Sequence, residues 1–201
     1  LITDAQWLDV DRDGDQDLAL VGEWMPLTVL RNEQGRLQRD STLMPPQSNG
    51  WWNCLAQADL DGDGDLDLVA GNLGLNSTLR ASPQEPCELY VADFDGNGYS
   101  DPIICAYHEG RSYPWATRDE MLKQIVSLRR RFPNYQTYAE ATIQDLFTPQ
   151  QLAQSVQKRV YTFAHAWFEN TPGGFVRHAL PQATQMAPVY GLAIRDVDGN
   201  G

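Results

Sequence analysis

Four short acidic segments recur in phase along the chain, and they restrict its fold more than any other feature. Read as Asp-x-Asp-x-Asp/Asn-Gly-x-x-Asp, the first runs Asp9-Val-Asp11-Arg-Asp13-Gly14-Asp15-Gln-Asp17 and the second Asp59-Leu-Asp61-Gly-Asp63-Gly64-Asp65-Leu-Asp67. The third is Asp93-Phe-Asp95-Gly-Asn97-Gly98-Tyr99-Ser-Asp101, and a fourth begins Asp196-Val-Asp198-Gly-Asn200 just before Gly201. Each complete copy is preceded by a short apolar run (Trp7-Leu8, Cys54-Leu-Ala56, Leu89-Tyr-Val91) and followed by another (Leu18 to Val21, Leu68 to Ala70, Ile103 to Ala106). Strand, tight acidic loop, strand is a hairpin whose turn is the motif. A second hairpin pattern, Asn-x-x-Gly between apolar runs, stands at 27–37 and again at 166–175, so two hairpins make a four-stranded unit. The fold class expected is all-β, in about three such units.

Motif starts are 50, 34 and 103 residues apart, and the long last gap calls for an insertion. Between 115 and 160 the apolar period turns helical, with start signals at Thr117-x-x-Glu120, Thr137-x-x-Glu140 and Thr148-Pro149-x-Gln151. Helices are expected over about 118–131, 137–146 and 149–160, as a helical insertion at 115–160 within the third unit of one domain spanning 1–201. The insertion is basic, with seven Lys and Arg against four acids.

Charge follows the repeats. The chain carries a net −12, yet 15 of its 27 acids lie in the four motifs, and without those acids it would be net +3. An acidic chain is repelled by a phosphate backbone, so nucleic acid is excluded as a partner. No apolar run approaches the roughly 18 residues of a membrane span. The chain starts at Leu1 and stops inside a motif, so it is expected to be a fragment of a longer protein. Cys54, Cys87 and Cys105 have no CxxC spacing; one disulfide with a free thiol and three buried thiols both fit.

Carboxylates at loop positions 1, 3 and 5, a turn-permitting Gly at 6 and a carbonyl at 7 supply hard oxygen ligands to one cation. An EF-hand would need Glu at position 12, where this chain has Leu20, Ala70 and Ile104, and would need helical flanks. The expected side-chain ligands are Asp9, Asp11, Asp13 and Asp17; Asp59, Asp61, Asp63 and Asp67; and Asp93, Asp95, Asn97 and Asp101. Carbonyls of Asp15, Asp65 and Tyr99 complete them, and Asp196, Asp198 and Asn200 open a fourth site. A ring of five or more protein oxygens favours Ca²⁺ over Mg²⁺, which keeps its waters. With three carboxylates instead of four, the third site is expected to be the weakest. A single Asp-Gly run is an ordinary turn, but three in-phase copies crowd carboxylates that repel unless a cation neutralises them.

These residues resemble FG-GAP/VCBS repeats, the blades of integrin-α-type β-propellers. The resemblance covers about 5–110 and 161–201, and the run Ser112 to Glu120 is similar to a block in large secreted bacterial FG-GAP proteins, some with an ASPIC/UnbV-type domain. It implies that each motif is a calcium loop between two strands of a blade. It departs from the pattern at 115–160. Closed propellers have about four to eight blades, so three units imply a partial propeller, able to self-associate through exposed blade edges.

The function expected is a non-catalytic, calcium-binding propeller module of a secreted, cell-surface or periplasmic protein, binding a protein or glycan in adhesion. The alternative is a propeller-based polysaccharide lyase or hydrolase, which needs an acid/base set beyond the adjacent His108, Glu109 and Arg111. The remaining residues read as structural. Trp7 and Trp52 are expected between sheets, His108, His165 and His178 as satisfied histidines, and Arg129 to Arg131 as a solvated helix end.

Overall fold

A computed structural model describes residues 1–196. The strands in chain order are β1 (Ile2–Leu8), β2 (Asp17–Met25), β3 (Thr28–Glu33), β4 (Arg36–Arg39), β5 (Gly50–Trp51), β6 (Cys54–Ala58) and β7 (Asp67–Gly71). They continue as β8 (Cys87–Ala92), β9 (Asp101–His108), β10 (Arg111–Pro114), β11 (Val156–Val160), β12 (Ala166–Thr171) and β13 (Gly174–Ala179). Four short helices lie between β10 and β11: α1 (Arg118–Gln124), α2 (Tyr135–Ala139), α3 (Ile143–Leu146) and α4 (Pro149–Gln154). The chain divides into two compact units, Leu79–Arg159 and the remainder on either side of it.

In the outer unit, β1-β2-β3-β4 form an antiparallel meander, with β5 pairing the far end of β2. Alternation drives it: along β2, Asp17, Ala19 and Val21 are buried while Leu18 and Leu20 are half-buried, the period of a one-faced strand. The second sheet has the order β6-β7-β12-β13, so its two hairpins are separated by 94 residues of chain. The second Asn-x-x-Gly hairpin therefore completes the sheet of the second acidic motif, as β3 and β4 complete that of the first. The two sheets are tied at their first strands. Gln6 donates to the Leu55 carbonyl (3.0 Å), and the Leu55 N–H donates to Asp4 (2.8 Å). One core, including Leu8, Val21, Leu27, Trp52, Leu68 and Phe168, serves both sheets. Trp52 meets Phe168 edge to face at 5.5 Å and gives its indole N–H to the Ser48 carbonyl.

The inner unit has its own sheet, β10-β9-β8-β11, and its own core, in which Phe94, Ile103 and Cys105 meet Met121, Ile125, Leu128 and Phe147 of the helical segment. Helices are shorter than the sequence period suggests. The first is an α-helix to Gln124 and then a 3-10 turn at Val126–Arg130. The second begins at Asn134, whose side chain accepts the Thr137 N–H, so Thr137 lies inside that helix instead of capping it. The next begins at Thr142, which forms a capping box with Asp145. The last stops at Gln154, and Val156–Val160 is a strand beside β8. Hydrogen-bonding to a sheet edge overrides helical propensity in so short a segment.

One expectation about a single residue is corrected. Trp52 is fully buried, but Trp7 is 54% exposed on β1. Across β12 and β13, His178 stacks on Trp167 and lies 2.6 Å from Glu169, a carboxylate partner that sequence separation concealed. All three cysteines are free and buried, and burial pushes the Cys87 thiol up to about 12.

Candidate functional site

Each complete motif lies between the first and second strands of its sheet: β1 and β2, β6 and β7, β8 and β9. The same backbone shape recurs. Position 6 is glycine in the left-handed region in all three, with φ of 94° at Gly14, 88° at Gly64 and 87° at Gly98. Position 4 is left-handed as well, at Gly62 (80°), Gly96 (78°) and Arg12 (61°). Two left-handed residues in one short loop fold it back on itself, which turns the alternate side chains inward.

The carboxylates then staple the loop. The first-position Asp accepts the position-6 N–H at 3.0 Å (Asp9 and Gly14), 3.0 Å (Asp59 and Gly64) and 2.8 Å (Asp93 and Gly98). The third-position Asp accepts the position-5 N–H at 3.2 Å in every copy. The fifth-position oxygens of Asp13, Asp63 and Asn97 accept the position-7 N–H at 2.8 to 2.9 Å. These bonds favour the ionised form: the Gly98, Gly96, Asn97 and Asp95 N–H groups hold Asp93 below the usual carboxylate range.

Position 9 has a different task. Asp17, Asp67 and Asp101 are buried, and each accepts a hydrogen bond on both oxygens. One oxygen takes the position-2 N–H (Val10, Leu60, Phe94) at 2.9 to 3.0 Å. The other reaches the next structural element. For Asp17 it takes the Asn32 N–H of β3 (2.7 Å), for Asp67 the Asn170 N–H of β12 (2.8 Å), and for Asp101 the side chain of Gln124 at the end of α1 (3.3 Å). Asn32 and Asn170 were the unassigned halves of this arrangement. Their signal was the Asn-x-x-Gly spacing itself, present in both hairpins.

The loops bring carboxylate oxygens within 4.8 Å of one another in three groups: Asp9, Asp11 and Asp13; Asp59, Asp61 and Asp67; Asp93, Asp95 and Asp101. The expected ligands Asp17 and Asp63 lie outside these trios, and Asn97 faces its own loop N–H. The side chain of Asp65 is nearly covered, and burial, followed by the Asp63 charge, raises its carboxyl to about 6. Burial also raises Asp67. Arginines flank the two loops of the outer unit: Arg31 bridges Asp11 (3.1 Å) and Asp40 (3.0 Å), and Arg12 reaches Asp65 (3.1 Å). In the fourth motif Asp196 is described, whereas Asp198 and Asn200 lie outside the described residues.

Chemically the trios offer only hard oxygen donors, which suit a divalent cation of the calcium or magnesium kind and not a thiophilic metal. The candidate acid/base residues are placed otherwise. His108 is the exposed last residue of β9, Glu109 lies in the exposed turn to β10, and Arg111 lies over the Tyr113 ring. No curated protein and no solved structure matches the chain. Residues 9–70 match the family model described as FG-GAP-like repeat. That stretch holds the first two acidic loops and the strands from β2 to most of β7, and over it the chain is similar to the FG-GAP-like repeats.

Proposed function

We propose that the chain is a calcium-binding, blade-type module that works outside the cytosol by binding a protein or glycan partner, without catalysis. The observation that carries this reading is the threefold recurrence of one loop: the same left-handed positions, the same stapling bonds and a converging oxygen trio each time. Mutual repulsion within each trio is what a bound cation relieves. Three divalent ions would halve the net charge of −12. Calcium near millimolar, acting on sites of about micromolar affinity, would stabilise the fold by roughly 4 kcal/mol per site. Cytosolic calcium would leave such sites largely empty, which supports an exported location. The match of 9–70 to a repeat family supports a binding module over an enzyme.

Isothermal titration of calcium into the chelator-treated chain tests the reading. Three sites are expected, reduced to two by Asp59→Asn with Asp61→Asn. Absence of heat and of bound ion would refute it, and turnover of a polysaccharide lost on His108→Ala would restore the lyase or hydrolase alternative.

A further inference from the structure

Loop position 4 is glycine in the second and third motifs, but the first keeps Arg12 there, at φ 61°, in a conformation that disfavours a residue with a Cβ. Its side chain does not turn to its own loop. It crosses to the second, where Nη2 lies 3.1 Å from Asp65 Oδ2 and 3.8 Å from Asp63 Oδ1. The other oxygen of Asp65, Oδ1, is buried without a hydrogen-bond partner. Asp63 is also the carboxylate missing from the second trio, although its equivalent Asp13 belongs to the first. The third loop has Gly96 at this position.

We propose that Arg12 is a tethered counter-ion for the second loop, competing with the divalent cation for Asp63 and thereby coupling the first two loops. This rests on the calcium reading given above. With the cation absent, the guanidinium offsets part of the charge of five aspartates crowded between Asp59 and Asp67. When the cation enters, Asp63 turns to it, the guanidinium is repelled, and the fourth position of the first loop is released with it. Coupling of this kind is reciprocal, so occupancy of either loop alters the affinity of the other.

Calcium titrations of the full chain at low salt, comparing Arg12→Gly and Arg12→Lys with the parent, test this. Glycine suits the backbone, since it occupies this position in the other two loops. Arg12→Gly is expected to tighten the second-loop site about two- to fivefold, as for an exposed ion pair, and to leave the third-loop site unchanged. Arg12→Lys should stay near the parent, and the difference should shrink in about 0.5 M salt. Asp61→Asn and Asp95→Asn assign the second- and third-loop steps. Unchanged or weaker second-loop binding in Arg12→Gly, with calcium still bound, would overturn the counter-ion. A parent chain that binds no calcium would overturn the calcium reading itself.

Discussion

Asp67 is fully buried and holds the N–H groups of Leu60 and Asn170, one in its own loop and one on the strand beside it. An acid in the ninth position is thus a clasp between loop and sheet. Asp67→Ala leaves the buried Asn170 N–H and the partly buried Leu60 N–H without an acceptor, at a cost of about 2–4 kcal/mol. Chemical denaturation with chelator present should show that loss, because it does not depend on a cation. His165 makes the second residue-scale prediction. Its Nδ1 accepts the Asn72 N–H at 2.8 Å, and Nε2 lies 2.9 Å from the Ala187 carbonyl, so the ring is neutral with its proton on Nε2. Burial lowers its pKa below the ordinary 6.5. Below pH 6.5 the unfolded chain takes up a proton that the folded chain refuses, so this residue's contribution to stability declines as the pH falls from 7 towards 5. An NMR titration should find the His165 imidazole still mainly neutral at pH 6.5.

At the scale of elements, the hairpins around the acidic loops were legible because two independent signals coincide there, the motif and the flanking apolar runs. Loops of this shape also restrict their residues. Gly64 has φ 88° and open space around the position of an added Cβ, so Gly64→Ala meets no clash and its cost is conformational, about 1–2 kcal/mol by thermal melting. The capping boxes at Thr117 and Thr148 were legible too, since both partners lie three residues apart. Thr148→Ala should cost the inner unit about 1 kcal/mol. What escaped the sequence were features decided at long range. Val156 to Val160 continues a helical pattern but gains a strand partner in β8, and the hairpin at 166–179 finds its sheet across 94 residues. Likewise nothing local announced that Arg12 would serve another loop, or that Asp17 would be spent on Asn32.

For the whole molecule, the division into two units has a direct consequence. Residues 79–159 carry their own sheet, their own core and one acidic loop, inserted between the two hairpins of the second sheet. Produced alone as residues 79–160, this segment is expected to fold and to bind one calcium ion, lost with Asp93→Asn and Asp95→Asn. The acidity of the chain is then a matter of its four acidic motifs, which hold 15 of its 27 acids, and not of the sequence at large. The most direct measurement is a thermal melt of the full chain with millimolar calcium and then with excess chelator. Calcium should raise the melting temperature by about 10 °C or more, reversed by the chelator. An identical melting temperature in both conditions would contradict the proposal that these loops hold calcium.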